Sequence, residues 1–143
     1  MKRIFVVLLL LAGTAQAETR FAALDVYIDA AQPLAAWQFE LSAPNVSMTV
    51  VGVENGDSEA FGDAPYYDRE AIQGGRADRI IVADYSTSKS LPSGRFRLAT
   101  IHVMIEGGAP EYELKLITAK TGNGWHVDAS ITVREQGADH EQT

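Results

Sequence analysis

The chain has 143 residues, twelve of them basic and nineteen acidic, a formal net charge of −7, and no cysteine. The acidic balance argues against nucleic acid and anionic membrane surfaces as partners. The lack of cysteine rules out lipoprotein acylation and leaves packing alone, without disulfides, to hold the fold.

Residues 1–17 read as a cleaved signal peptide. Lys2 and Arg3 form a basic n-region, Ile4–Ala12 a short apolar run, and Ala15-Gln16-Ala17 an A-x-A cleavage signal. A buried N-terminal strand is the alternative. The run is too short to span a bilayer, and no second long apolar run follows. The prediction is an exported protein, periplasmic or extracellular, with no membrane insertion. The mature chain, Glu18–Thr143, carries ten basic against nineteen acidic residues, a net charge of −9. It is one domain's worth of sequence, residues 18–134, followed by a disordered polar tail at 135–143.

In Phe21–Asp29, Leu24, Val26 and Ile28 alternate with Asp25, Tyr27 and Asp29, which predicts a strand with one wet face. Leu34–Ser42 is the clearest strand: Trp37, Phe39 and Leu41 alternate with Gln38, Glu40 and Ser42. Val46–Val53 changes phase between Val50 and Val51, which predicts a bulge or bend. Glu54–Gly75 is a long irregular stretch with Asn55-Gly56, Pro65 and Gly74-Gly75, and a short strand at Tyr66-Tyr67 is possible within it. Further strands are predicted at Arg79–Tyr85, Arg95–Ile105, Tyr112–Ala119 and Trp125–Val133. Ser86–Gly94 is a polar loop, and Thr121–Gly124 a tight turn. With no convincing amphipathic helix, the pattern predicts an all-β, antiparallel β-sandwich or jelly roll of about eight to nine strands. A closed barrel is the structural alternative.

Two blocks resemble a known family. Leu34-Ala35-Ala36-Trp37-Gln38-Phe39-Glu40-Leu41 is similar to the Gln-Phe-bearing strand of cohesin domains. Ile81-Val82-Ala83-Asp84, a polar loop, Gly94 and then Leu98-Ala99-Thr100-Ile101-His102-Val103 resemble the later cohesin signature in order and spacing. Phe21–Val133 is the extent of the likeness. It implies a cohesin-like jelly roll, and a non-catalytic binding module that docks a protein partner through an exposed sheet face. Carbohydrate-binding modules of related fold imply the alternative, a polysaccharide ligand. The chain departs from the pattern at Ser42-Ala43-Pro44 and in a shortened N-terminal strand pair.

No catalytic constellation can be nominated. A nucleophile needs a base and an orienting carboxylate beside it; the chain has no Cys and no G-x-S-x-G. His102 faces away from the apolar set, His126 begins the last strand, and His140 lies in the tail. No zinc-ligand spacing is present, and no cofactor is implied. Asp57, Glu59, Asp63 and Asp68 crowd one loop without the calcium-loop pattern, so solvated charge is the plain reading and weak calcium binding the other. A glycosidase built on that loop would need a placed acid–base pair. Trp37, Phe39 and Phe96 are core by default. Tyr66, Tyr67, Tyr85 and Trp125 fall in loops or at strand ends, where exposed rings stack on sugar faces. They are the candidate ligand-binding residues, with edge-of-core packing as the competing role. Tyr66-Tyr67 leads because it sits in the long loop.

Overall fold

The computed structural model describes residues 18–75, 77–137 and 142. Within them lie seven strands: β1 (Thr19–Ala30), β2 (Ala36–Ser42), β3 (Ser47–Asn55), β4 (Arg79–Tyr85), β5 (Gly94–Glu106), β6 (Glu113–Lys120) and β7 (Ala129–Glu135). They form two antiparallel sheets, sheet A in the order β3-β5-β1-β7 and sheet B in the order β4-β2-β6. Successive strands alternate between the sheets, so no strand pairs with its neighbour in sequence.

Period-two patterning accounts for the β-sandwich-like layering. Leu24, Val26 and Ile28 of β1 and Ala99, Ile101, Val103 and Ile105 of β5 are buried from sheet A. Trp37, Phe39 and Leu41 of β2 meet them from sheet B, with Ile80 and Val82 of β4. The indole of Trp37 stacks on Phe39, centroids 5.6 Å apart, and meets Phe61 in a T-shaped arrangement at 6.1 Å. Phe61 comes from the long irregular stretch, which therefore plugs the core rather than lying over it.

The expected bulge appears at the phase change: the β3–β5 register shifts between Val50 and Gly52. Against the eight to nine strands expected, the described residues hold seven, and three details differ from the sequence pattern. The short strand at Tyr66-Tyr67 is a single bridge, Tyr66 to Ala83. Trp125–Val133 is not one strand, because His126 bridges back to Lys120 and the buried Val127 turns the chain into the other sheet before β7 begins. A five-residue helix, α1 (Arg69–Gln73), sits in the long loop, started by Asp68, whose Oδ1 accepts the Ala71 N–H at 3.0 Å. One turn is too short to leave a periodic signature.

Where β1 begins and β7 ends, Arg20 forks onto Glu135, and the Tyr112 hydroxyl donates to the same carboxylate at 3.2 Å. Gln142 bridges to Val133 on the edge of sheet A. Residues 1–17, where the signal-peptide reading falls, lie outside the described residues, as do His140 and most of the polar tail.

Candidate functional site

Tyr66 and Tyr85 are brought together by the edge of sheet B. Backbone bonds tie Tyr66 to Ala83, N–H to O at 2.8 Å one way and 3.0 Å the other. Ala83 and Tyr85 are two residues apart on the outward face of β4, so Tyr66 and Tyr85 are diagonal neighbours across the bridge. Their rings lie parallel within 4°, centroids 6.1 Å apart, and each residue is 62 % exposed. The neighbouring Tyr85 phenol holds the Tyr66 pKa above its ordinary value.

Beside this pair is a cleft of about 250 Å³ whose walls include Asp63, Asp84, Ser86, Thr87 and Ser88. Asp84 sits opposite Trp37 in the β2–β4 register, partly inside the layer. Burial pushes its carboxyl above the usual value, and the charge of Asp63 adds to this; the Tyr85 N–H, donating at 2.8 Å, opposes it.

Tyr67 is placed differently. It is half-buried against the core, with the Arg69 guanidinium 5.2 Å above its ring. Adjacent residues on extended backbone face opposite ways, so only one of Tyr66 and Tyr67 reaches solvent fully.

Trp125 stands 72 % exposed on the turn after β6. That turn is locked. The Thr121 N–H donates to the Trp125 carbonyl at 2.8 Å, the Trp125 N–H to Thr121 Oγ1 at 3.1 Å, and the Gly124 N–H to the Thr121 carbonyl at 2.9 Å. Gly124 takes φ 81°, which a side chain would strain. The indole borders a cleft of about 570 Å³ with Gln32, Leu91, Asn123 and His126. Tyr85, Ala36 and Lys120 lie in register across β4, β2 and β6, so the tyrosine pair and the Trp125 turn occupy the same end of sheet B.

The two outward faces differ in kind. On sheet A, Glu54, Thr100 and Asp25 lie in one row. The Thr100 hydroxyl, fully buried, donates to Asp25 at 2.6 Å and accepts from Arg97, which also binds Asp57 at 3.1 Å. His102 pairs with Glu54 at 2.9 Å. These polar groups satisfy one another. On sheet B, Ile81 and Ile117 stand exposed with the tyrosine pair beyond them. Ile117 projects because the β2–β6 register shifts beside it.

His126 lies 3.5 Å from Asp128 on the exposed turn. Among the described residues no group of three or more His, Asp or Glu is placed to hold a metal ion, and no helix is long and apolar enough to cross a membrane. The Ser86–Ser88 hydroxyls are the site residues that sequence reasoning missed. Their position beside the rings depends on strand pairing, and the polar loop composition was their only signal. No protein-family model matches this chain, and neither a curated protein nor a solved structure matches it.

Proposed function

We propose that the protein is an exported, non-catalytic binding module built as a cohesin-like jelly roll, which docks a protein partner through the outward face of sheet B. The observation that supports this reading is what each outward face presents: on sheet A the polar row around Thr100 is closed by its own hydrogen bonds, with Phe21 and Val51 the exposed apolar residues, while sheet B leaves Ile81, Ile117 and two tyrosines in water. Flat faces of mixed apolar and charged residues suit protein partners. The ion pair of Arg79 with Glu40, 3.6 Å apart, and the exposed Lys115 supply the charged rim. Affinity capture from the source extract is expected to yield a stoichiometric partner that Ile81→Arg and Ile117→Arg release. Retention by both variants, or release by Phe21→Arg on the opposite sheet, overturns the face assignment.

A second reading, a carbohydrate-binding module, is favoured by the placement of Tyr66, Tyr85 and Trp125 at one end of sheet B. Parallel exposed rings beside hydroxyl and carboxylate groups match the apolar faces and polar rims of sugars. Glycan binding unaffected by Tyr66→Ala, Tyr85→Ala and Trp125→Ala removes this reading. Both readings assign the chain no catalysis and no cofactor, and place it in the periplasm or outside the cell.

A further inference from the structure

Three clefts that share lining residues make up a trough between the tyrosine pair and Trp125. The cleft beside Tyr66 and Tyr85 shares Ala60 and Ser88 with a second cleft of about 450 Å³. That second cleft shares Leu91 with the cleft under Trp125. Residues of the polar loop between β4 and β5 line it, and Ser58, Ser86, Thr87, Ser88 and Ser90 are among the lining. The loop is braced from within: Ser86 Oγ accepts the Ser88 N–H at 3.1 Å, and Ser88 Oγ accepts the Ser90 N–H at 3.1 Å. Hydroxyls held in place lose little freedom when a ligand binds.

The charge of the trough narrows the ligand. Asp63, Asp84 and Glu59 line it, and among the described residues no lysine or arginine does. An anionic glycan or phosphate would meet repulsion without a counter-charge. Its span sets the length. Tyr85 and Lys120, two strand spacings apart, are separated by about 10 Å, and the Trp125 turn lies beyond Lys120. One sugar ring cannot touch both platforms.

We propose that this trough binds a neutral, linear oligosaccharide that stacks on the Tyr66/Tyr85 pair and on Trp125 at once, with the loop hydroxyls hydrogen-bonding the sugars between. The inference rests on the carbohydrate reading and adds to it two linked subsites and an uncharged ligand.

The test is calorimetric titration of the full chain with gluco-, xylo- and manno-oligosaccharides graded from monosaccharide to hexasaccharide. Affinity is expected to climb with chain length until both platforms are spanned, because the second contact becomes intramolecular. Tyr85→Ala and Trp125→Ala are each expected to weaken the hexasaccharide roughly tenfold or more. Both residues are exposed, so the variants fold, and Phe21→Ala serves as a distant ring control that leaves affinity unchanged. A hexasaccharide bound no tighter than a disaccharide, or sensitivity to only one of the two platforms, overturns the linked trough and leaves the carbohydrate reading standing. Binding of no member of the series, or capture of a proline-rich peptide in its place, overturns both.

Discussion

Single residues show where local chemistry and tertiary contact part company. Asn55-Gly56 carries turn chemistry in the sequence, yet the reason for Gly56 is a close approach: a Cβ there would stand 2.0 Å from the Arg97 carbonyl oxygen and 2.5 Å from that of Leu98. Backbone atoms cannot step aside as a side-chain tip can. Gly56→Ala is therefore expected to destabilise the fold by about 1–3 kcal/mol, as overpacking does, read from urea unfolding. It should also loosen the adjacent contact in which the Asp57 N–H donates to the Arg97 carbonyl at 3.0 Å. Asp84 gives a prediction with a sign. Its folded pKa lies above the ordinary carboxylate value because burial disfavours the charge. A group shifted this way contributes stability that is fully present below the ordinary value and is lost as pH rises through the raised one. Asp84→Asn keeps an oxygen for the Tyr85 N–H and removes the charge. Because Asp84 stays partly exposed, solvent screens its charge, and the variant is expected to exceed the parent in stability at neutral pH by less than about 1 kcal/mol. That advantage should vanish near pH ~3, where Asp84 is protonated in both states. An advantage that persists in acid would point to a cause other than ionisation.

At the scale of the element, β2 is the member on which the layering depends. It is the centre of sheet B, paired on both sides, and it buries Trp37, Phe39 and Leu41 in alternation. Phe39 packs against the indole of Trp37 and is fully buried. Phe39→Ala is expected to cost about 3–5 kcal/mol, measured by thermal or chemical unfolding, since it removes a large ring and leaves a cavity. The neighbouring β6 faces the opposite hazard, being an edge strand with one side unpaired in its sheet. Exposed edges template pairing with other chains, and charged side chains guard against it. Lys115 lies between the partly buried Leu114 and Leu116, with Ile117 exposed just beyond. Lys115→Val is expected to leave the fold intact and to speed aggregation on heating, followed by light scattering. An unchanged aggregation rate would mean that neighbouring charges or β7 already guard that edge.

For the whole molecule, the alternation of successive strands between sheets has a kinetic consequence. Every ladder joins strands distant in sequence, so each closes a long loop before any pairing rewards it. Stopped-flow refolding of residues 18–143 is expected to be slow for their number, on the order of milliseconds to seconds, with no fast helical phase. Sub-millisecond folding would contradict a core assembled from these pairings. The same alternation explains what was legible beforehand. Apolar runs along the chain marked the seven strands, with β7 beginning at Ala129 rather than at Trp125, and marked the buried face of β2 and the bulge in β3, because each of these is decided largely by neighbours along the chain. The four ring residues were legible as candidates for the same reason, since aromatic residues in loops stand out by position alone. Their grouping was not. Tyr66 meets Tyr85 only through a bridge to Ala83, and Tyr67 turns inward under Arg69. Trp125 reaches the same end of sheet B only because β4, β2 and β6 lie side by side. Local alternation along the backbone determines which side chains are hidden; which exposed groups become neighbours is decided by pairing between distant strands, and composition carries no record of that.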